Sequence, residues 1–260
     1  MEIKLGVAVG FDRLNDVIKA GYDYIEPALN SLADMNEEQF NKLCALVDAS
    51  NIKAEVFNCF FPHKIKIVGD SFDLPTVTEY AEKVLERAQR LGSRICVVGS
   101  GFSRRIPDGF SHGDAVEQMC LVLNECGRIA KKYNIDIALE PLNSGETNFI
   151  NTFSEAFDLC ERVNMENVKC LIDFYHVSKM GDTLPDVCTK NGVIRHIHVA
   201  GATTRTMKEL REDTDTLIKW KKALEKYHYN GGISIEGRFD DDFFNDINKT
   251  RKAIRAVFSK

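Results

Sequence analysis

Short apolar runs alternate with longer stretches of helical periodicity along the whole chain, and the alternation occurs eight times. The strand-like runs are 3–9, 22–28, 52–60, 95–100, 135–142, 168–175, 194–201 and 232–237. Between them, apolar residues recur at helical spacing over 14–20, 36–50, 76–91, 114–133, 152–163, 184–189, 214–227 and 243–258. In 114–133 the stripe is Val116, Met119, Cys120 and Leu123, with Glu125 and Lys132 opposite and Leu121 and Val122 broadening it. Thr152 or Ser154 is placed to cap the helix over 152–163, and Gly92 follows the one over 76–91. Strict alternation of this kind predicts parallel strands joined by right-handed helical crossovers. Eight units in 260 residues give about 32 residues each, the size of a closed α/β barrel. The expectation is therefore one (β/α)8 TIM barrel, a single domain over 1–260. An open doubly wound sheet would carry a glycine-rich fingerprint after the first strand, and Val9-Gly10-Phe11 is not one. The longest connection, 61–75, is a candidate active-site lid.

Composition narrows the classes. A hydrophobic share of 44% suits a large soluble core, and a net charge of −5 argues against nucleic acid as a partner. No uncharged apolar run reaches the roughly 18 residues of a membrane span. The amino-terminal Met-Glu-Ile-Lys-Leu-Gly reads as a strand rather than a secretion signal. The eight cysteines are scattered singly within apolar segments, with no Cys-x-x-Cys pair. They read as reduced core thiols of a cytoplasmic protein, not as a disulfide or zinc framework.

The candidate chemistry lies at four successive strand ends. The stretch Ile-Asp-Ile-Ala-Leu-Glu-Pro-Leu-Asn puts Ile135, Ile137 and Leu139 on one face and Asp136, Ala138 and Glu140 on the other. Glu140 closes that strand before a proline. The next three strands end in Asp173, His198 and Glu236, each on the face of the residue two before it: Leu171, His196 and Ser234. If Ile137, Leu139, Ile233 and Ile235 face the helices, all four ligand-type groups point into the barrel mouth, where such barrels carry their chemistry. Three converging carboxylates repel unless protonated or neutralised by a cation. A shared divalent metal follows, Mn²⁺ best, with Mg²⁺ or Co²⁺ as alternatives and Zn²⁺ less suited. Taken singly, a strand-end Glu is more often a cap or salt-bridge partner, and His196 reads as a hydrogen-bonded core histidine. Glu26, ending Tyr-Ile-Glu-Pro, could add a polar contact in the mouth. Gly99 and Gly101 would let a substrate approach the backbone, and Arg104 and Arg105 could bind an anion or be solvated loop charges.

These segments resemble the xylose-isomerase-like TIM-barrel superfamily, and within it the D-tagatose/D-psicose 3-epimerase group. The resemblance is carried by Leu-Glu-Pro-Leu-Asn at 139–143, Ile-Asp-Phe-Tyr-His at 172–176, His-Ile-His-Val at 196–199 and Ile-Glu-Gly at 235–237. It is motif-specific over the second half of the chain. It implies Glu140 and Glu236 as metal ligands and acid/base groups, with Asp173 and His198 as the other two ligands. Glu146 and His176 match contacts to substrate hydroxyls. Family members place an arginine six residues after the ligand histidine; this chain has Thr204 there and Arg205 one further on, which makes Arg205 the expected substrate-binding arginine.

The resemblance implies a metal-dependent isomerase or epimerase of a ketose or related keto-sugar, working through a metal-bound cis-enediolate. Two bases across one carbon give epimerisation, and one base serving two carbons gives isomerisation. The expected partner is a small-molecule sugar, with no nucleic acid and no membrane, and self-association left open. Three alternatives share the fold: a keto-inositol or keto-glycoside dehydratase, isomerase or lyase; an endonuclease-IV-like repair enzyme; and a non-catalytic sugar-binding barrel. The endonuclease needs further histidine ligands, and the fourth strand ends Val-Gly-Ser-Gly without one.

Overall fold

The computed structural model describes residues 3–190 and 192–258. Eight parallel strands, β1 (Leu5–Val7), β2 (Tyr24–Ile25), β3 (Val56–Phe57), β4 (Ile95–Val98), β5 (Asp136–Leu139), β6 (Val168–Asp173), β7 (Ile194–Val199) and β8 (Ile233–Ile235), form one sheet in the order β2-β1-β8-β7-β6-β5-β4-β3. Its two ends meet through parallel bridges Tyr24–Lys53 and Ala28–Asn58. There Ile25 N donates to Lys53 O at 3.2 Å and Asn58 N to Pro27 O at 3.1 Å, so the sheet curls into a near-closed TIM barrel.

Helices α1 (Leu14–Ala20), α2 (Glu37–Asp48), α3 (Leu74–Arg90), α4 (Gly101–Arg104), α5 (His112–Lys132), α6 (Phe153–Val163), α7 (Phe174–Met180), α8 (Met207–Glu212), α9 (Thr214–Lys226) and α10 (Phe243–Phe258) surround it. Their ends follow local chemistry. Asn36 and Thr152 form capping boxes with Gln39 and Glu155, and Gly92 takes a left-handed φ of +93° after α3. Among the described residues, no helix is long and apolar enough to cross a membrane.

Every expected strand is present, shortened at its ends. The expected strand over 168–175 stops at Asp173, because the Asp173 carboxylate accepts Tyr175 N at 2.8 Å and starts α7 at once. An apolar run cannot by itself separate a strand from the helix that follows it. The helix expected over 184–189 is a short 3-10 turn, Asp186–Thr189, while α4 and α8 are extra pieces in the loops after β4 and β7. The stretch expected as a lid, 61–75, is packed down: Phe61, Ile67 and Val68 are buried, and Ile67 N donates to Ser103 O at 3.0 Å. All eight thiols are free, six of them buried.

Strand parity sorts the core into two populations. Val7, Ile25, Phe57, Val98, Ile137, Leu139, Ile172, Ile197, Val199, Ile233 and Ile235 pack in the cluster shared with the helices. Tyr24, Val56, Val97, Ala138 and Leu171 form a separate cluster inside the barrel. Two residues further along the same faces stand Glu26, Asn58, Gly99, Glu140 and Asp173, the layer of the barrel mouth. Polar side chains thus replace the branched aliphatics that usually fill such a barrel.

Gly6 completes the lower layer. A Cβ there would lie 2.1 Å from Cε2 of the Tyr24 ring, a rigid group with no room to retreat. Gly6→Ala is expected to destabilise the fold by about 1–3 kcal/mol through overpacking. Urea unfolding checks this, and an unchanged midpoint would contradict the packing described.

Candidate metal centre

The strand ends bring Glu140, Asp173, His198 and Glu236 together. One ligand atom from each lies within 4.8 Å of the others. Glu140 and Glu236 come from strands with β6 and β7 between them, yet both reach His198: its Nδ1 is 3.1 Å from Glu140 Oε1 and 3.1 Å from Glu236 Oε2. On the other side of the ring, His198 Nε2 is 2.8 Å from Glu26 Oε1. Glu26 Oε2 in turn is 3.0 Å from His196 Nε2. Glu26, His196 and His198 are all fully buried, so the Glu26 side chain belongs to the inner wall of that layer, against His198, and is closed off from the open mouth.

Electrostatics show how tightly the groups depend on one another. Burial pushes the Glu140 carboxyl up, and the nearby Glu236 charge adds to it, while His198 opposes both. Burial acts on Glu236 too, but the His198 charge and hydrogen bond, with Arg205, outweigh it and hold the group down to about 2. For Glu26 the same opposition, burial against His198 and His196, resolves well below the usual carboxylate range. Burial lowers His198, but Glu26, Glu236 and Glu140 more than compensate and raise it strongly. Burial wins at His196, which stays below the ordinary histidine value.

Glu140 and Glu236 each turn one oxygen to His198, whereas the Asp173 oxygens face Tyr175 N, His176 and Arg205. The other oxygen of Glu236 accepts Asn58 Nδ2 at 2.9 Å. The other oxygen of Glu140 occupies space that a side chain at Gly99 would fill, since a Cβ there would be 2.3 Å from Oε2. Asn58 carried no motif, but the parity that picks out Glu140 also puts it two residues beyond Val56 on the inner face of β3.

The remaining expected residues are placed as follows. Glu146 Oε1 is 2.9 Å from Asn143 Nδ2 and 3.3 Å from Arg205 Nη1. His176 is buried; Asn143 N and Nδ2 approach its Nδ1 at 3.3 and 2.9 Å, and its Nε2 lies 3.4 Å from Asp173 Oδ2. That Nε2 has no well-formed hydrogen bond, so it is the ring atom with capacity to spare.

Arg205 enters the site despite its one-residue offset. A left-handed φ of +60° at Arg205 itself turns the chain, with Arg205 N donating to Gly201 O at 3.0 Å and Arg238 N to Arg205 O at 2.7 Å. The Glu209 carboxylate holds the turn by accepting Thr203 N at 2.9 Å and Thr204 N at 2.7 Å. The guanidinium then reaches Glu236 at 2.9 Å and Asp173 at 3.5 Å, with Cζ 4.9 Å from the Tyr175 ring centre.

Arg104 binds no outside anion and is not a solvated loop charge. It is fully buried and donates to four carbonyls: Glu140 O at 2.8 Å, Phe149 O at 3.1 Å, Ile150 O at 3.1 Å and Val98 O at 3.4 Å. Burial lowers its pKa to about 10. Arg104 is a clamp that ties the end of β5 to β4 and to the loop before α6. Arg105 donates to Glu146 O at 3.0 Å.

The donor set fits a divalent cation. Three carboxylates and one imidazole nitrogen at these separations match the span of two metal–ligand bonds of about 2.0–2.4 Å each. Without a cation, their mutual repulsion is relieved by the His198 ring and by Arg205 at the edge of the site, with hydrogen bonds from Asn58 to Glu236 and from Tyr175 N to Asp173.

Comparison with known proteins agrees with this architecture. The family model described as xylose isomerase-like TIM barrel matches residues 14–259. D-psicose 3-epimerase of Ruminiclostridium cellulolyticum is 23% identical over 232 residues, covering 86% of this chain and 76% of that protein. Inosose isomerase of Bacillus licheniformis is 28% identical over 179 residues, 67% of this chain and 61% of that protein. Among solved structures, D-allulose 3-epimerase from Methylomonas sp. superposes with a TM-score of 0.80 at 18% identity, covering 98% of this chain and 97% of that one. The 3-keto-D-glucoside 4-epimerase of E. coli gives 0.78 at 19%, covering 98% and 100%. These superpositions show the fold, and the two sequence relatives named above are an epimerase of a ketose and an isomerase of an inosose.

Two outcomes are expected. Arg104→Met leaves four buried carbonyls without their charged donor and should cost at least about 2 kcal/mol in chemical unfolding. Mn²⁺ at a hundred times its dissociation constant should stabilise the wild-type protein by about 2.7 kcal/mol. Asp173→Asn should lose most of that gain; equal gains in differential scanning would remove Asp173 from the cation site.

Proposed function

The chain belongs to the xylose isomerase-like TIM-barrel family, and on that premise we propose that it is a divalent-metal-dependent isomerase or epimerase of a ketose or related keto-sugar. The observation that carries this reading is the convergence of Glu140, Asp173, His198 and Glu236 at four successive strand ends. These four residues would hold the ion, with Mn²⁺ suited best by the oxygen-rich set, and its charge would polarise a sugar carbonyl and acidify the neighbouring C–H. In this reading residues 1–260 act as one catalytic domain. The free, mostly buried thiols support a reducing, cytoplasmic setting.

The proton chemistry is assigned to Glu140 and Glu236. Each commits one oxygen toward His198 and has a second to exchange a proton with the sugar: Oε2 of Glu140 above Gly99, and Oε1 of Glu236 beside Asn58. One removes the α-proton to give an enediolate and the other returns it, exchanging roles in the reverse direction. Arg205 and Glu146, joined at 3.3 Å, would bind sugar hydroxyls at the rim. His176 would supply its uncommitted Nε2 to the same end. The relatives that are inosose isomerases support a second substrate class, a keto-inositol, for the same proton chemistry.

The test is turnover of Mn²⁺-loaded protein with a panel of ketoses and an inosose in D₂O, read by NMR. Deuterium at C3 of a ketose indicates an epimerase, and at C1 or C2 an isomerase. Exchange on the inosose alone moves the assignment to keto-inositol chemistry. Glu140→Gln and Glu236→Gln should each lower turnover by about 10²–10⁴-fold with Mn²⁺ still bound. Unchanged turnover in either variant would remove that residue from the acid/base pair.

A further inference from the structure

Inside the barrel, below the four clustered donors, a chain of hydrogen bonds crosses three strands. Tyr24 Oη is 3.0 Å from Ser234 Oγ, and Ser234 Oγ is 3.1 Å from His196 Nε2. His196 Nε2 is 3.0 Å from Glu26 Oε2, and Glu26 Oε1 is 2.8 Å from His198 Nε2. We infer that Glu26 is a positioning residue that makes His198 a metal donor, by holding the ring proton on Nε2 and so turning the Nδ1 lone pair toward Glu140, Asp173 and Glu236. The inference rests on the metal reading proposed above and adds a residue to it.

An ionised carboxylate only accepts, and both oxygens of Glu26 face an imidazole Nε2. Both Nε2 atoms therefore carry protons. At His198 the proton on Nε2 makes Nδ1, 3.1 Å from an oxygen of Glu140 and 3.1 Å from an oxygen of Glu236, the ring nitrogen from which an ion would displace a proton and take the lone pair. At His196 it leaves a buried Nδ1 with no hydrogen-bond partner. A bare acceptor there is tolerable; a proton on that atom would be an orphaned buried donor. Outer hydrogen bonds of this kind orient metal-binding histidines and raise their basicity.

Glu26, His196 and His198 could also be read as a second metal site, since their donor atoms cluster as well. Hydrogen bonding accounts for the same geometry with every facing N–H satisfied, and no second ion is required.

Glu26→Gln separates these readings because a carboxamide has one acceptor and one donor end. Its NH₂ must face one of the two rings. Facing His196, it forces a proton onto the His196 Nδ1 that has no partner. Facing His198, it moves the proton to Nδ1, which can donate to Glu140 and Glu236. The second arrangement is favoured, and it places a proton where the metal must bind.

The experiment measures Mn²⁺ binding to the full chain by electron paramagnetic resonance of the free ion. Histidine tautomers are read in parallel by ¹⁵N NMR of the Zn²⁺-loaded and metal-free protein. Wild type is expected to bind one Mn²⁺ per chain, and Glu26→Gln to bind it about 10–100-fold more weakly. The His198 proton should sit on Nε2 in Zn²⁺-loaded wild type and on Nδ1 in the metal-free variant. Equal affinity in a folded variant overturns the inference, as does an Nδ1 proton on His198 in the Zn²⁺-loaded wild type. Two Mn²⁺ in wild type falling to one in the variant would make Glu26 a ligand, which also overturns it. If the variant does not fold, the tautomer in Zn²⁺-loaded wild type decides. Wild type that binds no Mn²⁺ would refute the metal reading itself, a result distinct from equal affinity in the two proteins.

Discussion

Charge is the constraint on which this barrel depends. Glu26, Glu140, Asp173 and Glu236 all point inward, into a closed space they share with strand backbone, a few apolar side chains and the buried polar groups of Tyr24, Asn58, His196, His198 and Ser234. Carboxylates so placed gain nothing from bulk water and repel one another across a few ångströms. Every other feature of the mouth can be read as an answer to that repulsion. His198 stands between two of them, Glu26 sits on its far side, Arg205 closes the edge, and the cluster keeps a geometry suited to a cation.

Two arginines show how differently the same positive group is used. Arg104 is held by backbone carbonyls and fixes the path of the chain where β5 ends, so its effect on Glu140 is one of placement. Arg205 is held by side-chain carboxylates and stays partly open to the cavity. No sequence rule separates them in advance, because both lie in loops rich in polar residues. What distinguishes them is depth, which is a property of the folded chain.

The fold was legible in the chain because eight repeats of one pattern leave few arrangements open. Strand parity carried the same information to the site: Leu139, Ile172 and Ile235, one residue before the acids at the ends of β5, β6 and β8, face the helices, so Glu140, Asp173 and Glu236 had to face inward. Less was legible wherever the chain departs from that regularity. The boundary at Asp173 was hidden because the carboxylate that caps α7 is the same side chain that joins the cluster of donors. The route of Arg205 was hidden because a left-handed residue in a loop has no periodic signature. Asn58 shares the parity of the clustered donors but lies outside the segments that carry the motifs.

The hydrogen-bonded column from Tyr24 to His198 has a consequence for how such a barrel can be altered. Valine or leucine at His196 and Ser234 would fill the interior as other barrels fill theirs, and buried polar networks are often no more stable than well-packed hydrocarbon of the same volume. Selection for stability alone, in a library randomised at those two positions, would therefore tend to discard the column. The layer above it would then lose the support beneath His198. In this chain the deepest part of the core is where resistance to heat and competence for chemistry pull in opposite directions.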